Sequence, residues 1–393
     1  MEKILDGIRV LDFGRYIAAP FCCQVLADMG AEVIRVERPG GEPDRQRGPL
    51  AGSGQSLYFA TLNRNKQAIT LKQTSERGRE VLGELVKHCD VVVHNQPRER
   101  TAELGLDYQR LAAFNPRLIY LAVSGFGATG PYASDPAFDA IVQALSGAAT
   151  MTGFGDAPTL SHVPWVDFGT ALYGALGVVL ALFGRERTGR GREVDLALLN
   201  TGLSFVGAYG VFAEVAINGL VRRAVGNTMI YGVGGLFRCA DGGLAVCTFG
   251  DALFARLCRV IGRPELLEDP ALKSDIARFE NRLRINDAVQ GWLEGRTMAE
   301  ARRILAAAGV PAGEVETVDR TLKHPQVTAS GMLTQIDQPG IGAIPVARSA
   351  LRFDGSAPEI ERPAPAIGEH NDSIYDRLLG PGTARRLRAE GVI

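Results

Sequence analysis

The first 125 residues alternate between short apolar, β-branched segments and amphipathic ones, and this alternation constrains the fold most. Residues 8–13 read as a strand, a helix begins near Ala19–Pro20, and residues 31–37 read as a second strand. Two strands joined by one helix within about 30 residues are typical of a right-handed crossover in a parallel sheet. The pattern predicts further strands at residues 68–71, 90–94 and 117–123. The sequence therefore predicts an α/β domain built on a parallel sheet.

Ligands of open α/β sheets bind beyond the carboxyl ends of the strands. The loops predicted there begin at Gly14, Arg38, Lys72, Asn95 and Ser124. Residues 125–130 formally match the pattern GxGxxG, whose last glycine opens a helix in dinucleotide-binding proteins. Here Pro131 and Tyr132 follow, and a turn comes next. The match therefore does not predict a dinucleotide site.

One acidic residue precedes the longest apolar stretch of the chain. Asp167 stands ahead of small and aliphatic residues that recur at helical spacing as far as Glu186, so a buried helix is expected. An Asp at a helix start commonly acts as the N-cap, where it stays hydrogen-bonded and ionised. If a cleft reaches it, the same carboxylate can act as a nucleophile, with backbone N–H groups ready for an oxyanion. The residues alone leave both roles open.

Composition excludes several classes of protein. The formal net charge of −1 gives no electrostatic case for nucleic acid or an anionic membrane as partner. The apolar run 168–183 is short for a membrane span, and the chain opens without a signal-peptide pattern. Six scattered cysteines without a CxxC pair, and five histidines without ligand spacing, predict reduced thiols, no metal site and a cytoplasmic protein.

A change in composition near residues 222–227 divides the chain. Residues 200–220 read as one further helix, residues 236–248 as a hairpin, and residues 250–310 as charged helices. A chain of 393 residues exceeds the usual size of one domain. We therefore expect a large domain at 1–220, a smaller one at 221–330, and a segment at 331–393 that returns to the first.

Several short motifs together resemble the class III CoA-transferase family, the group of formyl-CoA transferase and carnitine CoA-transferase. The resemblance runs from residue 5 to about residue 375, in the family's order. It rests on segments 5–11, 30–40, 63–66, 118–132, 188–191 and 368–370.

The resemblance implies a Rossmann-like large domain built from both chain ends, a smaller α+β domain, and a homodimer of interlocked chains. It places the catalytic nucleophile at Asp167. Coenzyme A is then a substrate, and no prosthetic group or metal is implied. The positions that match the family's CoA-binding segments are Tyr16, Ile17, Ala18, Arg38, Leu71, Lys72, Asn95, Gln96 and Phe138.

The fourth loop departs from the family pattern. Family members often read Asn-Phe-Arg-Pro-Gly, whereas this chain has Asn-Gln-Pro-Arg-Glu from Asn95 onward, so Arg98 or Arg100 is expected to replace the usual contact. Arginine suits the phosphates of CoA.

The activity implied is CoA transfer (EC 2.8.3 type) from an acyl-CoA to a free carboxylic acid, through an aspartyl anhydride and an aspartyl–CoA thioester. Succinyl-CoA or a related dicarboxyl-CoA is the expected donor, and Arg15, Arg47 and Arg64 are candidates for a second carboxylate. One alternative is an α-methylacyl-CoA racemase, which needs an acid–base pair of Asp and His. The histidine of that pair is replaced here by Phe138. The other alternative is a non-catalytic CoA-binding protein.

Overall fold

The computed structural model describes residues 3–393 and contains eleven strands and eighteen α-helices in that range. The strands are β1 Arg9–Phe13, β2 Glu32–Glu37, β3 Lys66–Thr70, β4 Val91–His94, β5 Ile119–Ser124, β6 Arg192–Ala197, β7 Val233–Cys239, β8 Gly242–Thr248, β9 Ala312–Glu314, β10 Leu333–Gln338 and β11 Gly342–Ala347. The helices are α1 Ala18–Asp28, α2 Leu57–Leu62, α3 Glu76–Val86, α4 Arg98–Leu104, α5 Tyr108–Phe114, α6 Asp139–Leu145, α7 Ala148–Met151, α8 Trp165–Thr188, α9 Leu198–Ala208, α10 Val211–Asn218, α11 Gly250–Val260, α12 Asp275–Glu280, α13 Arg282–Leu293, α14 Met298–Ala307, α15 Val318–Thr321, α16 Pro325–Ser330, α17 Asn371–Leu379 and α18 Thr383–Ala389.

The chain divides into two compact units. The first contains the described residues up to Ser146, together with Ser161–Ala213 and Gln326–Ile393. The second contains Gly147–Leu160 and Glu214–Pro325. The first unit is thus assembled from three separate stretches of sequence.

A six-stranded sheet forms the centre of the first unit, in the order β3-β2-β1-β4-β5-β6. Every neighbouring pair is parallel. The strand order reverses between β1 and β4, where the connections leave toward opposite edges of the sheet. This is the doubly wound arrangement that binds ligands at its switch point. The mixed α/β fold with a large parallel sheet, predicted from the sequence, is confirmed.

Both faces of this sheet are buried, because each strand sends alternate side chains to opposite faces. Val10 and Val33 face one side, where α1 and α8 cover them. Leu11 and Ile34 face the other side, which α3, α5, α17 and α18 cover. Helix α17 comes from the chain's last stretch, and the Tyr375 hydroxyl donates to the Thr70 carbonyl at 2.8 Å.

Helix α8 runs from Trp165 to Thr188 and packs on α1, β5 and β6. By length and composition alone it would be long enough and apolar enough to cross a membrane, and so would α9 with α10. Half of the apolar window of α8 is nevertheless buried inside the chain, as in a core helix.

The predicted single helix at 200–220 is wrong. Helices α9 and α10 meet at 65° instead. Gly210 lies at the break with φ +82°, a left-handed conformation that favours glycine and ends α9.

The second unit is built on an antiparallel sheet in the order β7-β8-β9. Its hairpin lies where the sequence predicts one. Helices α11, α13 and α14 supply the side chains that cover it, including Phe254, Val289 and Leu305.

Candidate active site

A cavity of about 690 Å³ opens at the carboxyl ends of β1, β4 and β5, at the switch point of the sheet. Eight of the residues predicted for catalysis and CoA binding line it, although they come from four separate segments, and so does Arg15, a candidate for the second carboxylate. The eight are Tyr16, Ile17, Ala18, Asn95, Gln96, Arg98, Phe138 and Asp167.

Asp167 does not cap its helix, which corrects the sequence interpretation. Helix α8 begins at Trp165, its N-cap is Pro164, and Asp167 is the third helical residue. The cap is the buried carboxylate of Asp139, from the first turn of α6. Its Oδ2 accepts the backbone N–H groups of Val166 at 2.8 Å and Asp167 at 3.1 Å. Asp139 thereby takes the role that the sequence suggested for Asp167, and it satisfies N–H groups that a helix start leaves unpaired.

Gln143 fixes this capping carboxylate in place. Its Nε2 donates to Asp139 Oδ1 at 2.5 Å, and its Oε1 accepts the N–H of Ser161 at 2.9 Å. The side chain therefore ties α6 to the segment that leads into α8. The position of Asp167 is set by a second helix as well as by its own.

The Asp167 carboxyl group receives no hydrogen bond from any group within residues 3–393. Burial disfavours its ionised form, and the nearby Asp139 carboxylate adds repulsion. Together they raise the pKa of Asp167 to about 7. The expectation of a hydrogen-bonded Asp that stays ionised as a cap is therefore wrong. A side chain with a pKa shifted toward neutrality in a cavity is a candidate for chemistry.

The loop from Gly14 to Ala18 forms one wall of the cavity. Asn95 holds Arg15 through both backbone groups, since Oδ1 accepts the Arg15 N–H and Nδ2 donates to the Arg15 carbonyl, each at 2.8 Å. Tyr16 adopts φ +63°, and its ring meets Phe138 edge-on with centroids 5.5 Å apart. Helix α1 then starts without a side-chain cap. Its N-terminus therefore adds a partial positive charge at the cavity wall.

Gln96 presents a buried acceptor at the cavity wall. The residue is 8% exposed, its Nε2 donates to the Phe13 carbonyl at 3.2 Å, and no donor reaches Oε1 in the described chain. Its backbone N–H donates to His94 Nδ1 at 3.2 Å. A buried amide oxygen without a partner is unusual in a folded protein and suits a ligand N–H or O–H group.

His94 and Tyr120 line the same cavity, although neither was among the residues predicted for the site. The Tyr120 hydroxyl donates to the Leu106 carbonyl, so His94 Nε2 donates to the Tyr120 oxygen at 2.6 Å. Burial, with Arg98 nearby, lowers the pKa of His94 to about 4. The imidazole is therefore neutral at pH 7. Its position at the end of a predicted strand was the available signal.

The structure does not bring four of the predicted CoA-binding residues into this cavity. Leu71 is 1% exposed within the core, so only its backbone can face a ligand. Arg38 Nε donates a hydrogen bond to the Gly41 carbonyl at 2.8 Å. Arg100 forms a salt bridge with Glu103, with Nε 3.3 Å from Oε2. Lys72 is exposed beyond the end of β3. Arg38, Leu71 and Lys72 follow the outer strands β2 and β3, further along the carboxyl edge of the sheet.

A second cavity, of about 350 Å³, lies near the opposite ends of β2 and β3. Its charged groups have partners, since Lys3 pairs with Glu361 at 2.7 Å in the lining and Asp28 pairs at 2.7 Å with Arg64, which lies outside the lining. In residues 3–393, no three His, Cys, Asp or Glu side chains are grouped so that they could hold a metal ion. The cavity at the switch point, with its unpaired carboxyl group, is therefore the candidate active site.

An open parallel sheet with a cavity at its switch point defines a nucleotide-binding type of α/β protein. The family model of CoA-transferase family III matches residues 5–371 of this chain. The chain therefore belongs to the class III CoA-transferases, enzymes of the EC 2.8.3 type that use CoA thioesters as substrates.

Named relatives match over almost their whole length. Succinyl-CoA--D-citramalate CoA-transferase of Chloroflexus aurantiacus is 34% identical over 380 residues, which cover 96% of this chain and 94% of the relative. Succinyl-CoA:glutarate CoA-transferase of Mus musculus is 30% identical over 403 residues, which cover 100% of this chain and 90% of the relative. The crystal structure of a CAIB/BAIF family protein from Brucella suis superimposes with a TM-score of 0.82 at 32% identity, over 95% of this chain and 99% of that one.

Proposed function

We propose that the chain moves CoA from a dicarboxyl-CoA, such as succinyl-CoA, to a free carboxylic acid, with Asp167 as the covalent nucleophile. The observation that carries the proposal is the Asp167 carboxyl group, which lines the cavity, receives no hydrogen bond from the described chain and has a pKa of about 7. A carboxylate that no donor stabilises is a stronger nucleophile than a solvated one.

The reaction then proceeds through two anhydrides and one thioester. Asp167 attacks the thioester carbonyl of the donor, the C–S bond breaks, and CoA leaves as a thiolate. The thiolate attacks the aspartyl carbonyl, releases the donor acid as its carboxylate, and forms the aspartyl–CoA thioester. The acceptor carboxylate displaces CoA from this thioester, and the thiolate then attacks the acceptor's carbonyl. Asp167 is regenerated, and no net proton transfer is needed.

The first N–H groups of α8 do not suit the oxyanions of these steps. Val166 and Asp167 already donate to Asp139, and Phe168 donates to the Pro164 carbonyl at 3.1 Å. The start of α1 is the better candidate, because Ala18 lines the cavity and α1 has no side-chain cap. Backbone N–H groups at a helix N-terminus suit anionic groups.

A second carboxylate on the substrate fits one of the three candidate arginines. Arg64 is buried and pairs with Asp28 at 2.7 Å, and Arg15 pairs with Glu42 at 2.7 Å. Arg47 is exposed and stacks on the Tyr16 ring, with its guanidinium carbon 5.3 Å from the centroid. The named relatives act with D-citramalate and glutarate, which are dicarboxylic acids. We assign the distal carboxylate to Arg47, since a guanidinium can bind a carboxylate in two parallel hydrogen bonds.

We propose a homodimer with interlocked chains, and an apolar surface on the first unit supports the association of two copies. On the outer face of α8, Leu172, Leu176 and Leu180 are each more than half exposed. Exposed apolar patches of this kind mark interaction sites. Light scattering should give twice the mass of the chain, and Leu176→Asp should lower that mass. A wild-type monomer would contradict the dimer.

Trapping with hydroxylamine tests the covalent step. After incubation with acyl-CoA, hydroxylamine should convert an activated Asp167 to a hydroxamate that peptide mass spectrometry detects. Asp167→Ala should lower kcat by about four orders of magnitude or more, as loss of a nucleophile does in other enzymes, while CoA still binds. Asp135→Asn, an exposed carboxylate change in the same cavity, is the matched control and should retain the hydroxamate. Absence of the hydroxamate in active wild-type enzyme would contradict the proposal.

A further inference from the structure

A cluster of six charged side chains lies beneath the loop from Gly14 to Ala18, and we call it the buried ionic cluster. Three carboxylates and three cations balance its charge. Five of the members are at most 1% exposed, and Arg45 is half-buried. The members are Asp12, Arg35, Glu37, Asp44, Arg45 and Lys66. Apolar replacements of buried ion pairs are often as stable, so stability alone does not account for such a cluster.

Two members of the cluster hold Gly14 at the start of the loop. Asp12 Oδ1 accepts the Gly14 N–H at 2.8 Å, and Arg35 Nη1 donates to the Gly14 carbonyl at 3.2 Å. A Cβ at Gly14 would lie 2.8 Å from both Asp12 Oδ1 and the Ala19 Cβ. The position therefore has no room for a side chain.

Lys66 holds the first turn of α1, which directly follows the loop. Its ammonium group donates to Asp12 Oδ2 at 2.8 Å, to the Pro20 carbonyl at 2.8 Å and to Asn63 Oδ1 at 2.9 Å. Lys has three donors, so all of them are used. Asn63 Oδ1 also accepts from Arg35 at 3.2 Å, which joins the two anchors into one network.

The segment between these anchors adopts a conformation that it would not keep alone. Tyr16 has φ +63°, a left-handed conformation that costs energy for any residue with a side chain. Such conformations persist where the surroundings over-determine them. Asn95 restrains Arg15, and the buried ionic cluster restrains Gly14 and Pro20. Tyr16, Ile17 and Ala18 then form the wall of the cavity.

We infer that Asp12, Arg35 and Lys66 are positioning residues for acyl-CoA: they hold the loop in its binding conformation before the substrate arrives. Preorganisation lowers the entropy that binding must remove. The inference rests on the proposed binding of CoA in this cavity.

The second buried salt bridge of the unit supplies a matched control. Lys66→Met and Arg64→Met each remove a buried cation from a carboxylate, but Arg64 pairs with Asp28 and makes no bond to the loop. Calorimetry should show the dissociation constant for CoA rising about tenfold in Lys66→Met and less than twofold in Arg64→Met. In turnover, Lys66→Met should raise KM for acyl-CoA about tenfold and change kcat less than threefold.

A second variant covers the case in which Lys66→Met does not fold. Gly14→Ala keeps every charge but displaces the loop, and it should weaken CoA binding by a similar factor. In ligand-free protein, the backbone amides of residues 15–18 should exchange hydrogen faster in the two loop variants, Lys66→Met and Gly14→Ala, than in the wild type. Unchanged CoA affinity in the folded loop variants, or equal weakening by Arg64→Met, would overturn the inference. The wild-type Asp167 hydroxamate is measured separately, so failure of the covalent mechanism is distinguishable from failure of this one.

Discussion

Replacing Asp167 with Asn should end turnover and, at the same time, stabilise the fold. In the folded chain, the Asp167 side chain is half-buried beside Asp139 and receives no hydrogen bond, and its pKa rises from 3.8 to about 7. The folded state therefore disfavours the ionised form, which the unfolded chain accommodates without difficulty. An amide carries no charge, so the variant avoids this cost.

The magnitude follows from the size of the pKa shift. One pKa unit corresponds to 1.36 kcal/mol, so the full shift corresponds to about 4 kcal/mol. Because water reaches part of the side chain and screens this effect, we expect the variant to gain between about 2 and about 4 kcal/mol in free energy of unfolding. The sign fixes the pH window. Below pH 4 the Asp167 carboxyl group is protonated in both the folded and the unfolded state, so it does not lower the free energy of unfolding. As pH rises from about 4 to about 7, the unfolded state loses the proton first, and the free energy of unfolding of the wild type falls. Above pH 7 the loss is complete.

Thermal unfolding at two pH values is the assay. An unfolding entropy of about 2.1 cal/mol/K per residue gives roughly 0.8 kcal/mol/K for a chain of this length. Asp167→Asn should therefore unfold about 2–5 °C above wild type at pH 8. At pH 4.5 the difference should be less than half as large. Asp135→Asn, an exposed carboxylate in the same cavity, should show no such pH dependence. Equal shifts at both pH values, or none at pH 8, would refute the reasoning.

Four further outcomes follow from the site and the sheet. The value of kcat/KM for acyl-CoA should rise with pH through a limb near pH 7, because the nucleophile must be ionised and the pKa of Asp167 is about 7 in the free enzyme; a flat profile from pH 5 to 8 would contradict this. Asp139→Asn should move that limb to lower pH, because it removes the negative charge beside Asp167; a limb that stays in place or moves up would count against the pairing. Arg47→Gln should lower kcat/KM for dicarboxylic acceptors about tenfold or more and leave monocarboxylic acceptors within about threefold, measured in a panel of acids with one acyl-CoA donor; equal losses for both classes would remove Arg47 from acceptor binding. Gly191→Ala should prevent β6 from pairing with β5, since its Cβ would lie 1.9 Å from the Leu118 carbonyl oxygen, whereas Gly52→Ala meets no atom within 4 Å; soluble yield and thermal unfolding compare the two, and a well-folded Gly191→Ala would contradict it.

The central sheet could be predicted from sequence because its information is local. Continuous apolar runs, such as the buried strand Val91–His94, and small-residue helices, such as α8, can be recognised from neighbouring residues alone. The switch point then gives the place of the cavity, which explains why Tyr16, Asn95 and Asp167 come together.

The details of the site depend on contacts between distant segments, which the sequence pattern does not contain. From the sequence, Asp167 resembles an N-cap. In the structure, the carboxylate of Asp139 accepts the N–H groups at the start of α8 instead. The burial of Arg64 against Asp28 could not be predicted either, because the residues next to Arg64 in the sequence do not indicate it. The shifted pKa of Asp167 has the same origin: it arises from burial and from a charge on another helix.

The central claim, that Asp167 forms and breaks bonds to both acids, is tested most directly by following oxygen atoms. In the proposed steps, the acceptor leaves one of its carboxylate oxygens on Asp167 in each turnover. Enzyme that turns over an acceptor acid labelled with ¹⁸O should yield an Asp167 peptide heavier by about 2 Da, and by about 4 Da after many turnovers. A peptide of unchanged mass, recovered from enzyme that has produced the new acyl-CoA, would contradict the account.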